Sequence, residues 1–380
     1  MARIAPADQQ SVRRHNLSLI VAEVAARAGS RAELAQRTGL TKATVSALVD
    51  LLLAQEVLVE GVAPSDRVGR PARPIAINPD GPPGLGLEVN VDYVAAGLLG
   101  LAGEVRARSA HEIDNRRRSA AEIAADLVRL ARQLPLPVEL AGVALAMPGV
   151  VGPDQELVRA PNLPQLTGAG LARTVSDQLA HPIELVDNEA NFGALGCRRG
   201  LDTGPDYVYV SGEIGVGAGL VVDGALFRGS SGFAGELGHV VVRPDGPACG
   251  CGGQGCVEQY AGQDVLLRAA GATDLDALMG AVAAAETPAR AAVQAAGAAL
   301  GVGLASLLNL VDLPVIVLGG LYARLFDGLV PSLRAELDHR IVSGRPPRLL
   351  RSTVGTDAAV LGAAGAAVQR VLNDPGVLLV

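Results

Sequence analysis

Three of the four cysteines crowd into Cys249-Gly250-Cys251-Gly252-Gly253-Gln254-Gly255-Cys256, and a histidine precedes them in Gly235-Glu236-Leu237-Gly238-His239. Three thiolates and one imidazole complete a tetrahedral zinc set with no open position, so a centre built from His239, Cys249, Cys251 and Cys256 is expected to be structural. The interleaved glycines let a short loop wrap an ion and turn backbone N–H groups toward sulfur. The plainer alternative, three buried reduced thiols, leaves that glycine density without a use. An imidazole bound through one nitrogen presents the other as an N–H donor in a direction fixed by the metal. Glu236 and Glu258 flank the loop and can accept hydrogen bonds from hydroxyl groups. Either glutamate alone reads as a solvated surface charge; their position on both sides of a metal loop favours a ligand site.

These elements, Glu236-x-x-Gly-His239 and Cys-x-Cys-Gly-x-x-Gly-Cys-x-Glu258, resemble the signature of the ROK family, which groups repressors, open reading frames and sugar kinases. The order of motifs agrees from about residue 84 to the C-terminus, and an N-terminal helix-turn-helix agrees with the repressor branch. The resemblance implies an α/β fold of two actin-like or ribonuclease-H-like lobes with a sugar in the cleft. It implies that Asn162, Asn188, Glu189, Glu236, His239 and Glu258 line the sugar pocket. Amides, carboxylates and an imidazole are suitable chemistry for hydroxyls that both donate and accept.

Three departures from the family's kinases predict that phosphoryl transfer is lost. The kinases carry Asn-Asp-Ala-Asn with the aspartate as general base, whereas Glu189 stands in Asn188-Glu189-Ala190-Asn191 here. One added methylene moves a carboxylate by about 1 Å, and displacements of that size cost roughly 100-fold in rate. The kinases also open with Asp-x-Gly-Gly-Thr, whose glycines bring backbone N–H groups to the ATP phosphates. This chain has Glu88-Val89-Asn90-Val91-Asp92-Tyr93 there, and its second glycine-rich segment, Ser211 to Gly219, carries Glu213 where phosphate would lie. A regulator is expected, not an enzyme; a sugar kinase with an N-terminal appendage is the alternative.

The elements that must position these residues follow from the pattern of apolar side chains. Leu17, Ile20, Val21, Val24 and Ala28 recur at helical spacing. Ser30-Arg31-Ala32-Glu33 is a capping box opening a second helix that Gly39 ends, and Thr41 caps a third with Val45, Leu48, Val49 and Leu52 inward. In this helix-turn-helix the third helix would present Lys42 and Thr44 to base edges in the major groove, with Thr41 and Ser46 at phosphates. Short strands around 57–59 and 75–77 flank a wing whose Arg67, Arg70 and Arg73 suit an A·T-rich minor groove. Pro79, Pro82 and Pro83 mark a linker, which gives a winged helix-turn-helix DNA-binding domain at 10–80 and a sugar-binding domain at 84–380. Its two βββ-α-β-α lobes are expected to hinge near 190–205, with the C-terminal helix returning to the first lobe.

With 380 residues, 49% hydrophobic and 19% charged, the chain can bury a sizeable core and is not expected to be disordered. Net charge is −7, yet residues 1–75 hold ten basic and seven acidic side chains, so basicity concentrates at the N-terminus. Arg13, Arg14, His15 and Asn16 interrupt any secretory signal core. The apolar stretch from Ala295 to Val311 contains Asn309 and falls short of the roughly 20 residues of a membrane span. A soluble, cytoplasmic protein without a membrane partner is expected, reading operator DNA as a homodimer or dimer of dimers and answering to a small sugar or sugar-phosphate ligand.

Overall fold

The computed structural model describes residues 8–61 and 73–378; Arg67 and Arg70 of the expected wing lie outside them. The chain opens with α1 (Gln9–Ala26), α2 (Arg31–Thr38) and α3 (Lys42–Ala54), followed by β1 (Leu58–Glu60) and β2 (Ile75–Ile77), which pair antiparallel. Each helix start has the cap its sequence offers. Asp8 accepts the Ser11 N–H at 2.6 Å, Ser30 and Glu33 form the reciprocal capping box, and Thr41 accepts the Thr44 N–H at 3.2 Å. Gly39, at φ 73°, turns the chain out of α2.

The inward faces meet in a core of Leu17, Ile20, Val21, Val24, Leu34, Val45, Val49 and Leu52, closed by Leu58 and Ile75. This core does not stop at the head: Leu101, Ala141, Val368 and Val371 belong to the same cluster. Accordingly the proline segment is no free tether. Gly81, Pro82 and Pro83 are buried, the Asn78 side-chain amide donates to the Glu56 carbonyl at 2.9 Å, and the Ala141 N–H donates to the Pro83 carbonyl at 2.9 Å.

Next come β3 (Gly84–Val89), β4 (Tyr93–Leu99), β5 (Val105–Glu112), α4 (Ala120–Gln133), β6 (Gly142–Met147), the hairpin β7 (Val150–Val151) and β8 (Leu157–Arg159), α5 (Leu171–Leu179) and β9 (Ile183–Asn188). The first sheet has the order β5-β4-β3-β6-β9, with β3, β4 and β5 antiparallel and β6 and β9 added parallel. After α6 (Glu189–Cys197) come β10 (Tyr207–Gly212), β11 (Val216–Val222) and β12 (Ala225–Phe227), then α7 (Glu258–Ala261), α8 (Gln263–Ala270), α9 (Leu275–Ala283), α10 (Thr287–Val311), β13 (Val315–Gly319), α11 (Gly320–Arg324), α12 (Phe326–Arg340), β14 (Arg348–Arg351) and α13 (Ala358–Asn373). The second sheet, β12-β11-β10-β13-β14, repeats the order and sense of the first. The duplication that is faint in sequence is thus plain in topology.

The helix α10 is long and apolar enough to cross a membrane, but Val293, Leu300 and Leu304 share a core with Ile316 and Leu318 of β13 and Leu329 and Leu333 of α12. Its length serves the second lobe's interior. The last helix, α13, lies on the first sheet: Val360, Leu361 and Ala364 pack with Ala95 and Leu99, and Ala363 and Ala367 with Ala144 and Ala146.

Candidate functional site

The loop after β12 brings the four expected metal ligands together. One ligand atom from each of His239, Cys249, Cys251 and Cys256 lies within 4.8 Å of the others. The Cys251 and Cys256 sulfurs are 3.7 Å apart, the separation of two thiolates about 2.3 Å from one tetrahedral ion. The Gly253 N–H donates to the Cys251 sulfur at 3.4 Å, as the glycine spacing anticipates. His239 Nδ1 faces the cluster, 3.7 Å from the Cys249 sulfur, while Nε2 faces Glu236, 3.9 Å from Oε2. Glu258 stands 4.0 Å from the Cys249 sulfur on the other side. The donor set fits a structural metal ion and turns the second imidazole nitrogen away from it.

That nitrogen opens on a cleft cavity of about 530 Å3 whose wall contains Asn162, Asn188, Glu189, Glu236, His239 and Glu258, all six residues expected to share a pocket. Asn188 caps α6 by accepting from the Ala190 and Asn191 N–H groups, and its side-chain amide donates to the Gly149 carbonyl at 2.8 Å and Glu189 Oε2 at 2.7 Å. Glu189 therefore starts α6 with its carboxylate held at the cavity wall. Burial first, then Glu236 and Glu213 nearby, push its carboxyl up to about 8; burial first and then Glu88 do the same to Glu213. Burial also raises Glu236, partly offset by His239. Arg159 of β8 reaches across from the first lobe toward the Gly250 and Cys251 carbonyls, 3.4 Å from each.

Residues 84–370 match the profile of the ROK family. The chain belongs to the ROK family. It is 29% identical to a xylose repressor of Bacillus subtilis strain 168 over 379 residues, 97% of this chain and 98% of that one. Among solved structures, a ROK family transcriptional regulator, homologous to the MLC protein of E. coli, superposes with a TM-score of 0.78 over 97% of this chain and 98% of its own, at 24% identity. A ROK family glucokinase from Streptomyces griseus, solved with glucose and AMPPNP, gives 0.68 over 76% of this chain and 99% of its own, also at 24% identity. These two likenesses concern the fold, which is the two-sheet α/β architecture of ROK proteins.

In the turn after β3, where the resemblance to the family's kinases leads one to expect a phosphate loop, the backbone donors are already paired. The Asn90 N–H donates to the Tyr93 carbonyl at 2.9 Å, and the Val91 N–H to Asn90 Oδ1 at 2.7 Å. The Tyr93 hydroxyl donates to Glu88 Oε1 at 2.6 Å, and Glu88 is 1% exposed. In the second glycine-rich turn the Glu213 N–H donates to the Gly215 carbonyl at 3.0 Å and the Val216 N–H to Glu258 Oε2 at 3.4 Å. Sequence reasoning missed the buried Glu88–Tyr93 pair, whose only signal is a carboxylate inside an apolar strand, and a pairing of Asp187 with Arg228 that nothing local announces.

In the head, Lys42 and Thr41 are exposed at the start of α3. Thr44 and Ser46 are half-buried, not fully outward as the spacing suggests. The Thr44 hydroxyl lies 2.9 Å from that of Thr41 in the cap, and the Ser46 carbonyl receives Arg31 at 3.4 Å. Arg73 is exposed, with Glu60 at 3.6 Å.

Proposed function

We propose that this chain is a sugar-responsive transcriptional regulator, a repressor of carbohydrate-metabolism genes, with residues 10–80 reading operator DNA and two lobes in 84–380, hinged near 190–205, binding a small sugar or sugar phosphate. The observation that carries the reading is that likeness to the B. subtilis xylose repressor runs through 97% of the chain, the helical head included. The cavity chemistry supports it. Asn162, Asn188, Glu189, Glu236, His239 and Glu258 complement a ring of hydroxyls. Zinc on His239, Cys249, Cys251 and Cys256 is structural, holding the imidazole so that Nε2 addresses the ligand.

Lys42 and Thr44 read base edges, Thr41 and Ser46 touch phosphate, and Arg67, Arg70 and Arg73 form the wing. One head is too small to discriminate an operator, so the protein acts in the cytoplasm as a homodimer or dimer of dimers on a palindromic site. Sugar binding changes lobe closure and with it the disposition of the heads, which requires the ligand to prefer one arrangement. The chain does not turn over ATP, because the amides that would receive phosphate are bonded internally and Glu189 is a methylene too long.

Calorimetric titration of D-xylose into the full chain, followed by an ADP-release assay on the same sample with ATP and magnesium, tests the reading. Saturable binding without turnover is expected. Turnover that disappears in E189A would make the chain a kinase instead.

A further inference from the structure

The segment that leaves β12 crosses from the second lobe to the first. Arg228 Nε lies 3.2 Å from Asp187 Oδ2 at the end of β9, and Nη2 donates to the Gly152 carbonyl at 3.5 Å. The Arg228 carbonyl accepts the Ala234 N–H at 3.1 Å, closing the segment into a loop. Gly232, at φ +82°, lies so close to the first lobe that a Cβ there would stand 2.4 Å from the Val151 carbonyl oxygen. A backbone anchored in this way holds Phe233 in the wall of the cavity, with 50% of its surface exposed. The chain has four phenylalanines and no tryptophan, and the other exposed one, Phe227, is on the edge strand and does not line the cavity.

The wall combines the polar groups of Asn162, Asn188, Glu189, Glu236, His239 and Glu258 with aliphatic Val150, Ile214 and Val265, and Phe233 is the one phenyl ring among its described residues, so the cavity suits a ligand that has an apolar face as well as a polar edge. An aldopyranose has both: hydroxyls around its rim and a face of C–H bonds. The rim suits the carboxylates, amides and imidazole, and an aromatic plate suits the C–H face. Carboxylates outnumber arginines in the same wall, with Glu189, Glu213, Glu236, Glu258 and Asp264 against Arg159 and Arg268, which disfavours an added phosphoryl group. Its arginines, Arg159 and Arg268, are exposed, and the glycine-rich turn has spent its Glu213 and Val216 amides internally. We propose that Phe233 is a specificity-determining ligand contact, whose ring stacks on the C–H face of an uncharged aldopyranose held at its rim by Glu189, Glu236, Glu258 and His239. This rests on the sugar-binding reading of the cavity and adds to it a residue and a ligand class.

The chain's lack of tryptophan supplies the test. In F233W the new indole is the sole tryptophan, and its emission is expected to change saturably with D-xylose, with the same midpoint that calorimetry gives. Added E189A should remove both signals. F233A is expected to weaken D-xylose binding about tenfold, with the melting temperature of the free protein and its bound zinc unchanged. D-glucose 6-phosphate should bind no more tightly than D-glucose. Emission indifferent to sugar while calorimetry records binding, wild-type affinity in F233A, or tighter binding of the phosphate would overturn the proposal and leave the sugar reading standing. If neither D-xylose, D-glucose nor N-acetyl-D-glucosamine binds the wild-type chain, both fall together.

Discussion

Glu88 is a carboxylate buried within β3: one oxygen accepts from Tyr93 and the other is buried without a hydrogen-bond partner. Burial, chiefly, pushes its carboxyl from 4.5 up to about 8. The folded state thus keeps a proton that the unfolded chain releases, so this group's stabilisation is complete below about 4.5 and is lost as pH rises through about 8. Glu189 and Glu213 act in the same direction. Urea midpoints are expected to fall between pH 5 and pH 9, and E88Q should flatten that fall; a variant profile overlaying wild type would contradict this account. Glu189 also bears on turnover. E189D restores the shorter carboxylate but not the amides bonded within the Asn90 turn, so an ADP-release assay should find it as inactive as wild type. Zinc removal by 1,10-phenanthroline should weaken D-xylose binding in calorimetry, because His239 Nε2 loses its fixed direction.

Elements carry the cleft's position to the head. The helix α6, which begins at Glu189, crosses α13 at glycines: a Cβ on Gly362 would lie 1.8 Å from the Phe192 carbonyl oxygen, and one on Gly196 1.9 Å from that of Ala358. The far end of α13 puts Val368 and Val371 into the core of α1, and Asp374 pairs with Arg14. Helices in backbone contact at one end and in a shared core at the other form a continuous packed connection between the cleft wall at Glu189 and the head. G362A should cost about 1–3 kcal/mol in urea denaturation through overpacking. G365A, on the same helix but facing only the end of Leu99, at 3.5 Å, should stabilise by up to about 1 kcal/mol. Equal effects of the two would remove the argument for the crossing.

The sequence made some elements legible and hid others for physical reasons. The caps at Ser30 and Thr41 and the end at Gly39 are local chemistry and could be read directly. Strands such as β14, Arg348–Arg351, begin and end in arginine and show no alternation; β12 and β8 are only three residues long. The buried prolines at 82 and 83 read as a linker because burial of a turn depends on what packs against it, here the core shared by the head, Ala141 and Val368. The six residues of the candidate cavity could be named together because the family resemblance marks them in short motifs, whereas Arg228 with Asp187 and the crossing of α6 by α13 join segments that only the fold brings together.

On the scale of the whole molecule, two sheets of the same order enclose the cleft, and the head is docked on the first lobe and α13 through one continuous core. In the proposed lobe closure the head would move with the first lobe, with which it shares that core. Coupling of this kind is worth typically 1–3 kcal/mol, or about 5–150-fold in affinity. The decisive measurement is fluorescence anisotropy of a duplex selected from random DNA by the full chain, titrated with protein in the absence and presence of saturating D-xylose. The account predicts dissociation constants that differ by at least about fivefold, with the difference lost in E189A while DNA binding is retained. Superimposed titrations from a sample in which calorimetry shows the sugar bound would contradict it.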